Sequence, residues 1–476
     1  MLFNSFIFLF FLIIVIPTFY VLPYKYKNIF LLVCSYIFYG YWDWRFTFLL
    51  LASTLFNYYF GIKIYNASEV KHKKNFLIIS LIFNLCLLGF FKYYNFFTSS
   101  FNEMLSHLGL AQLDFLHLNI ILPVGISFFT FQTMSYTIDI YRDKLKPSGS
   151  LINFSLYVSF FPQLVAGPIE RATNLLPQLE QRKLFNKEKF REGFELITIG
   201  MFKKIMLGDT TGRIVDNIFA DPQYFGSLEL LMGLVLFTVQ IYSDFSGYSH
   251  IARGTAKLLG FELMINFEQP YFSTSIGEFW RRWHISLSTW LKDYVYFPLG
   301  GSRKGNKRTY INLFLTMLLA GLWHGAAWTF VIYGILHGIY MVINRFILKD
   351  SKFFQRFKYE GYNRLLADIG KILFVTVLVM FTRIFFRADS IDSAMFYIYQ
   401  LFRWEPSDNI SSILSIIFSF VFVTILLDYL EVKMKNHAFL VRLQNPYQYG
   451  IITATWFTTL VYLFGANAMP FIYFQF

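Results

Sequence analysis

Cysteine is nearly missing: Cys34 and Cys86 are the only two in 476 residues, and both fall inside apolar stretches. A disulfide framework or a thiolate metal site therefore has little support, and both read as packing residues. Charge is scarce as well, because Asp, Glu, Lys and Arg together make up 15% of the chain. A soluble domain carries roughly 25%. Neither a Gly-x-Ser-x-Gly elbow nor a His-Glu-x-x-His pair occurs, so a hydrolase-type serine and a zinc-helix mechanism lack their motifs. No repeat of solenoid length is visible.

Apolar residues fill the space that charge leaves. They account for 56% of the chain, with 60 Phe and 9 Trp, far more than one soluble core could hide. Runs long enough to cross ~30 Å of hydrocarbon recur from the first residues to the last. The chain is an all-α polytopic membrane protein. Spans are expected near 2–22, 28–41, 46–62, 76–92, 119–141, 194–208, 228–243, 309–324, 326–345, 370–386, 411–430 and 449–468, all within one integral-membrane domain over 1–476.

The run from Leu2 to Leu22 has no preceding Lys or Arg, and the first basic residues, Lys25 and Lys27, follow it. That is the pattern of an uncleaved first span with its N-terminus outside. Lys63, Lys71, Lys73 and Lys74 then share one cytoplasmic loop, and Arg142, Lys144 and Lys146 begin another. Both termini are expected outside a bacterial inner membrane. The net charge of +13 follows from this topology and from attraction to anionic lipid. A basic cytoplasmic mouth would also favour an anionic substrate. Nucleic acid is not an expected partner.

Two expected cytoplasmic or re-entrant segments are too long for simple connections. Residues 142–193 contain Phe161-Pro162-Gln163-Leu164, an apolar piece broken by proline. Residues 244–308 contain Phe279-Trp280-Arg281-Arg282-Trp283-His284 and Trp290-Leu291-Lys292-Asp293-Tyr294. Interleaved aromatic and basic residues suit helices lying at an interface.

Gly321-Leu322-Trp323-His324-Gly325 puts an imidazole inside an apolar run from Ile311 to Ile343. Ionisable groups at membrane depth are rare, and each is a functional-site candidate. Histidine can also take and return a proton near neutral pH. The bland alternative is a buried histidine bonded to a carbonyl. His337, thirteen residues on, lies about 220° around a continuous helix and reads as a packed residue. His250 reads as local structure, and His72, His107, His117 and His437 fall in loops with no assigned role.

These pieces stand in a fixed order: Gln240-Ile241-Tyr242-Ser243-Asp244-Phe245-Ser246-Gly247, then Arg281-Arg282-Trp283-His284, then Tyr296-Phe297-Pro298-Leu299-Gly300-Gly301, then Trp323-His324-Gly325. The ordered set resembles the membrane-bound O-acyltransferase family over most of the chain. It is most similar to the bacterial branch of alginate O-acetylases, peptidoglycan O-acetyltransferases and teichoic-acid D-alanyl transfer proteins. The resemblance implies a ring of about 12 transmembrane helices, with re-entrant and interfacial helices, around a central tunnel. It implies that His324 is catalytic and that His284 lines the tunnel. It implies transfer of an acyl group from a cytoplasmic thioester, with acetyl-CoA the expected donor and no metal. Arg281, Arg282 and Lys292 are then candidates for contact with the donor's phosphates, with interfacial anchoring the alternative for each.

The tail from 469 to 476, expected outside, is aromatic rather than polar. A similar aromatic tail with a central Tyr is seen in this branch, and Tyr473 is either an interfacial anchor or an acyl acceptor. An exported glycan is the expected final acceptor, with a separate periplasmic SGNH-type transferase as partner. Two other classes compete. A proton-coupled transporter or flippase should show inverted repeats, which are not found. A polytopic glycosyltransferase should carry external acidic residues, and Asp389 and Asp392 stand there without a recognisable motif. D-alanyl transfer to teichoic acid is the alternative within the same family.

Overall fold

At membrane depth every backbone N–H and C=O must be bonded inside the protein, and a helix does this within one segment. A computed structural model describes residues 1–110, 113, 115, 117–165, 167–350, 361–408, 410–465 and 469–472. Among the described residues the regular elements are all helical, with no strand. Among the described residues, six helices are long and apolar enough to cross a membrane: Arg45–Asn66, Val70–His107, Ser227–Leu258, Trp328–Leu348, Leu365–Arg387 and Ile410–Met434. The last two bury only 17% and 11% of their most apolar stretch inside the protein, so most of their apolar side chains face outward, as lipid contact requires. Several of the twelve expected spans are shorter. Ile126–Tyr141 has 16 residues, which reaches about 24 Å at 1.5 Å per residue.

The chain divides into two compact units, Met1–Phe194 with Ala252–Met264, and Glu195–Ile251 with Ile265–Phe476. In the first unit, helices α1 (Arg45–Asn66), α2 (Val70–Leu88) and α3 (Ile126–Tyr141) are joined by buried polar groups. Asn57 and Asn84 exchange side-chain hydrogen bonds at 2.8 and 3.2 Å, Ser80 donates to Asn57 at 3.1 Å, and Thr133 donates to Asn84 at 3.1 Å. Lipid offers no hydrophobic drive between helices, so such bonds and close packing hold them together.

Helix α4 (Ser227–Leu258), which belongs to the second unit up to Ile251, runs well past the expected end at 243. Asp244, His250 and Lys257 make the sequence look as though it leaves the membrane there. Asp244 and His250 are instead buried against partners within the protein, so the helix has no reason to stop. Short helices α5 (Ile276–Arg282) and α6 (Ile285–Leu291) follow. Then α7 (Gly305–His324) and α8 (Trp328–Arg345) form a hairpin across three residues, of which Gly325 and Ala327 are extended. Helices α9 (Gly361–Arg387) and α10 (Ile410–Met434) come next.

The α7–α8 hairpin closes on glycines. A β-carbon on Gly334 would lie 2.9 Å from the Met317 carbonyl oxygen and 3.0 Å from Leu318 Cα, and one on Gly321 would collide with the Phe330 carbonyl. This is the small-residue seam that lets membrane helices approach. Gly334→Leu is expected to destabilise the protein by about 1–3 kcal/mol through overpacking. Thermal unfolding in detergent checks it, with Gly370→Leu as control, since a β-carbon there meets nothing within 4 Å.

Candidate active site

His324 is the last residue of α7. The helix ends there because Gly325 turns extended at φ −157°, and a β-carbon on Gly325 would collide with the Phe330 ring. That leaves the imidazole buried at the end of the glycine seam, 2% exposed. Its ring centroid lies 5.3 Å from Trp323, 5.8 Å from Tyr333 and 5.4 Å from Phe386.

His284 reaches the same place by a different route. It caps α6 in the left-handed region at φ 43°, and its side chain is fully buried. That backbone is uncommon for a residue with a β-carbon and persists only where the surroundings enforce it. Asn266 enforces it here: its carbonyl accepts from Ile285 N at 2.9 Å, and its side-chain oxygen accepts from Ser286 N at 3.3 Å. Asn266 Nδ2 donates in turn to Ser249 on α4, at 3.2 Å. The His284 ring lies 6.3 Å from His324, 5.5 Å from Trp323 and 4.7 Å from Phe245. Two histidines forty residues apart in the chain thus meet in one buried aromatic site, which can accept and return a proton away from water.

His337, expected to be a packed residue, is held on both sides. Trp280 Nε1 donates to its Nδ1 at 3.2 Å, and its Nε2 meets Thr382 Oγ1 at 3.1 Å. With Nδ1 accepting, the neutral ring carries its proton on Nε2 and donates to Thr382. The ring thereby ties α5 and α9 to α8.

The three basic candidates stand apart from this arrangement. Arg282 pairs with Glu278 at 2.8 Å, while Arg281 and Lys292 are exposed. Partial burial pushes the Glu278 carboxyl up, but two hydrogen bonds from Thr274 and the Arg282 charge outweigh it and hold it below the usual range. Asp392 lies in the first turn of the helix Ile391–Phe402, where a carboxylate favourably meets the helix dipole.

Sequence reasoning did not foresee two buried charge clusters. Lys204 Nζ lies 2.6 Å from Asp209 and 2.8 Å from Asp244. It also donates to the Pro470 carbonyl at 3.3 Å, and Asp244 accepts from Ile472 N at 2.8 Å. Phe471 then packs 4.5 Å from Tyr248 and 5.4 Å from Phe245, the ring that touches His284. The described part of the tail, 469–472, is therefore built into the protein next to the site. Tyr473 lies outside the described residues. In the second cluster, Lys203 meets Glu431 at 2.6 Å, His437 Nδ1 lies 3.1 Å from the same carboxylate, and His250 Nε2 lies 3.4 Å from His437. Two histidines and a carboxylate within 4.8 Å could hold a metal, but Lys203 and Gln269 already donate to the two carboxylate oxygens. A hydrogen-bonded network accounts for the arrangement.

Comparison with known proteins gives this site its context. The model of the membrane-bound O-acyltransferase family matches residues 141–388, a span that holds both site histidines. "Probable alginate O-acetylase AlgI" of Azotobacter vinelandii is 40% identical over 415 residues, 86% of this chain and 80% of that protein. A peptidoglycan O-acetyltransferase of Helicobacter pylori is 35% identical over 396 residues, 78% of this chain and 72% of that protein. A teichoic acid D-alanyltransferase of Bacillus subtilis is 29% identical over 271 residues, 54% of this chain and 67% of that protein. With a family match across half its length and relatives of this similarity, the chain belongs to the membrane-bound O-acyltransferase family.

Proposed function

We propose that this protein takes an acetyl group from cytoplasmic acetyl-CoA and passes it across the inner membrane for O-acetylation of an exported glycan. The observation that carries the reading is the buried pair His284 and His324, 6.3 Å apart between ring centroids, inside an O-acyltransferase domain. The names of the relatives support the rest: two O-acetylate a polysaccharide by name, at 40% and 35% identity. The D-alanyl transfer relative is more distant, at 29%.

In this reading His324 is the general base. It removes the proton from an attacking hydroxyl, whose oxygen forms a bond to the thioester carbonyl carbon. The tetrahedral intermediate collapses, the C–S bond breaks, and the leaving thiolate takes the proton back from the imidazole. His284, with its ring 6.3 Å from that of His324, orients or protonates. The donor enters through a tunnel open to the cytoplasm, with Arg281, Arg282 and Lys292 at its basic mouth. Tyr473 is the first acceptor. A phenol titrates near 10, so it needs a base to attack a thioester at neutral pH, and the phenyl ester it forms is a good donor for onward transfer. A periplasmic SGNH-type transferase then moves the acetyl group to the glycan.

His324→Ala is expected to lower acetyl transfer by at least about 100-fold while leaving membrane insertion unchanged. Retention of wild-type turnover by the purified variant overturns the assignment of the base. Tyr473→Phe separates relay from anchor, because an anchor needs only the ring. Loss of transfer with normal insertion, and an acetylated C-terminal peptide in the wild type by mass spectrometry, is the expected result. Sidedness is read in oriented proteoliposomes offered labelled acetyl-CoA on one face. Labelling is expected from the cytoplasmic face, and labelling from the outer face alone would overturn the topology and the mechanism together.

A further inference from the structure

Arg383 stands in α9 within an apolar run from Ile372 to Phe386 and is 1% exposed. Its guanidinium lies 4.5 Å from the centre of the Trp283 ring and 5.6 Å from that of Phe386. Among the described residues, its nitrogens have no hydrogen-bond partner besides the Tyr271 side chain, and no carboxylate forms an ion pair with it. The groups that sense its charge, Tyr271, Tyr333 and His337, include no carboxylate. A buried cation with no counter-charge is costly to keep, and ring faces offset only part of that cost.

Two more buried donors beside it lack an acceptor among the described residues. The Trp283 indole Nε1 is one, and the Tyr333 hydroxyl is the other. Trp283 immediately precedes His284. Tyr333 and Phe386, 5.3 Å apart, both contact the His324 ring. The site is therefore rich in aimed donors and poor in acceptors, and its missing partner is an oxygen that carries negative charge. The enclosure holds one guanidinium between aromatic walls. It suits a single oxygen better than a pyrophosphate, which would call for several cations.

We propose that Arg383, with the Tyr333 hydroxyl and the Trp283 indole, forms the oxyanion-binding site for the acyl carbonyl. The inference rests on the acyl-transfer reading above. As the hydroxyl oxygen bonds to the carbonyl carbon, the C=O electron pair moves onto oxygen and these donors receive the charge. As the intermediate collapses, the pair reforms C=O, the C–S bond breaks, and the charge leaves with the thiolate. A carboxylate beside Arg383 would cancel its field permanently. Leaving it unpaired keeps that field for the moment at which charge develops, where fixed donors in a dry site are most effective.

The test uses the full-length protein in nanodiscs with labelled acetyl-CoA, reading kcat, KM and donor affinity for Arg383→Gln, Arg383→Lys and Tyr333→Phe. Arg383→Gln is expected to lose about 100-fold or more in kcat, with donor affinity within about threefold of wild type. Arg383→Lys should keep part of the rate, and Tyr333→Phe, which removes only a hydroxyl, should lose about tenfold. A kcat within about threefold of wild type in Arg383→Gln, whatever its melting temperature, overturns the proposal. So does a loss confined to donor affinity, which would make Arg383 a phosphate-binding group. If Arg383→Gln does not insert, unchanged kcat in both Arg383→Lys and Tyr333→Phe overturns it. An inserted, monodisperse wild type without transfer activity would overturn the acyl-transfer reading itself.

Discussion

Lys204 is held between Asp209 and Asp244, and the environment around that contact is what makes it decisive. Hydrocarbon tolerates an ionised side chain only when partners within the protein take over the work of water. Here one ammonium meets two carboxylates, and their remaining oxygens meet the Tyr462 hydroxyl and the backbone N–H of Ile472. The cluster lets α4 continue past Asp244 instead of ending at its first charge. It also fixes residues 470–472 beside Phe245, whose ring supports His284. Removing the lysine would leave two buried carboxylates without a cation, so the geometry around His284 depends on a contact some distance from the chemistry.

Backbone conformation helps place both histidines. His324 sits where a glycine ends its helix, and His284 sits in a left-handed conformation that Asn266 enforces from outside. Such backbone placement brings the two imidazoles into one aromatic site, 6.3 Å apart between ring centroids. His337 is the contrast. It has the same burial, but Trp280 and Thr382 occupy both of its nitrogens, and it serves as a tie between helices.

His324 was legible in the sequence because an imidazole in a long apolar run stands out without any knowledge of the fold. The same rule applied to Arg383, a lone guanidinium between Ile372 and Phe386, would have marked it too. The Lys204 cluster was not legible, because its partners are five and forty residues away and its last contacts are near residue 472. The pairing of His250 with His437 was hidden for the same reason: neither residue is remarkable until α4 and the end of α10 are seen together. The boundary of α4 was misplaced because charge in the sequence reads as solvent exposure, whereas here it marks internal pairing. Helix type was easy to read throughout, since a chain this apolar has few other ways to bond its backbone.

The glycine seam between α7 and α8 bears on motion as well as packing. Two helices in backbone contact and joined by only three residues leave little room for side-chain rearrangement along their shared face. The hairpin should move as one stiff lever, carrying His324 at its tip and Tyr333 alongside. Any widening of the site to admit a substrate or release a product would then fall to its other wall, where His284 and Phe471 meet Phe245 of α4 through side chains that can change rotamer.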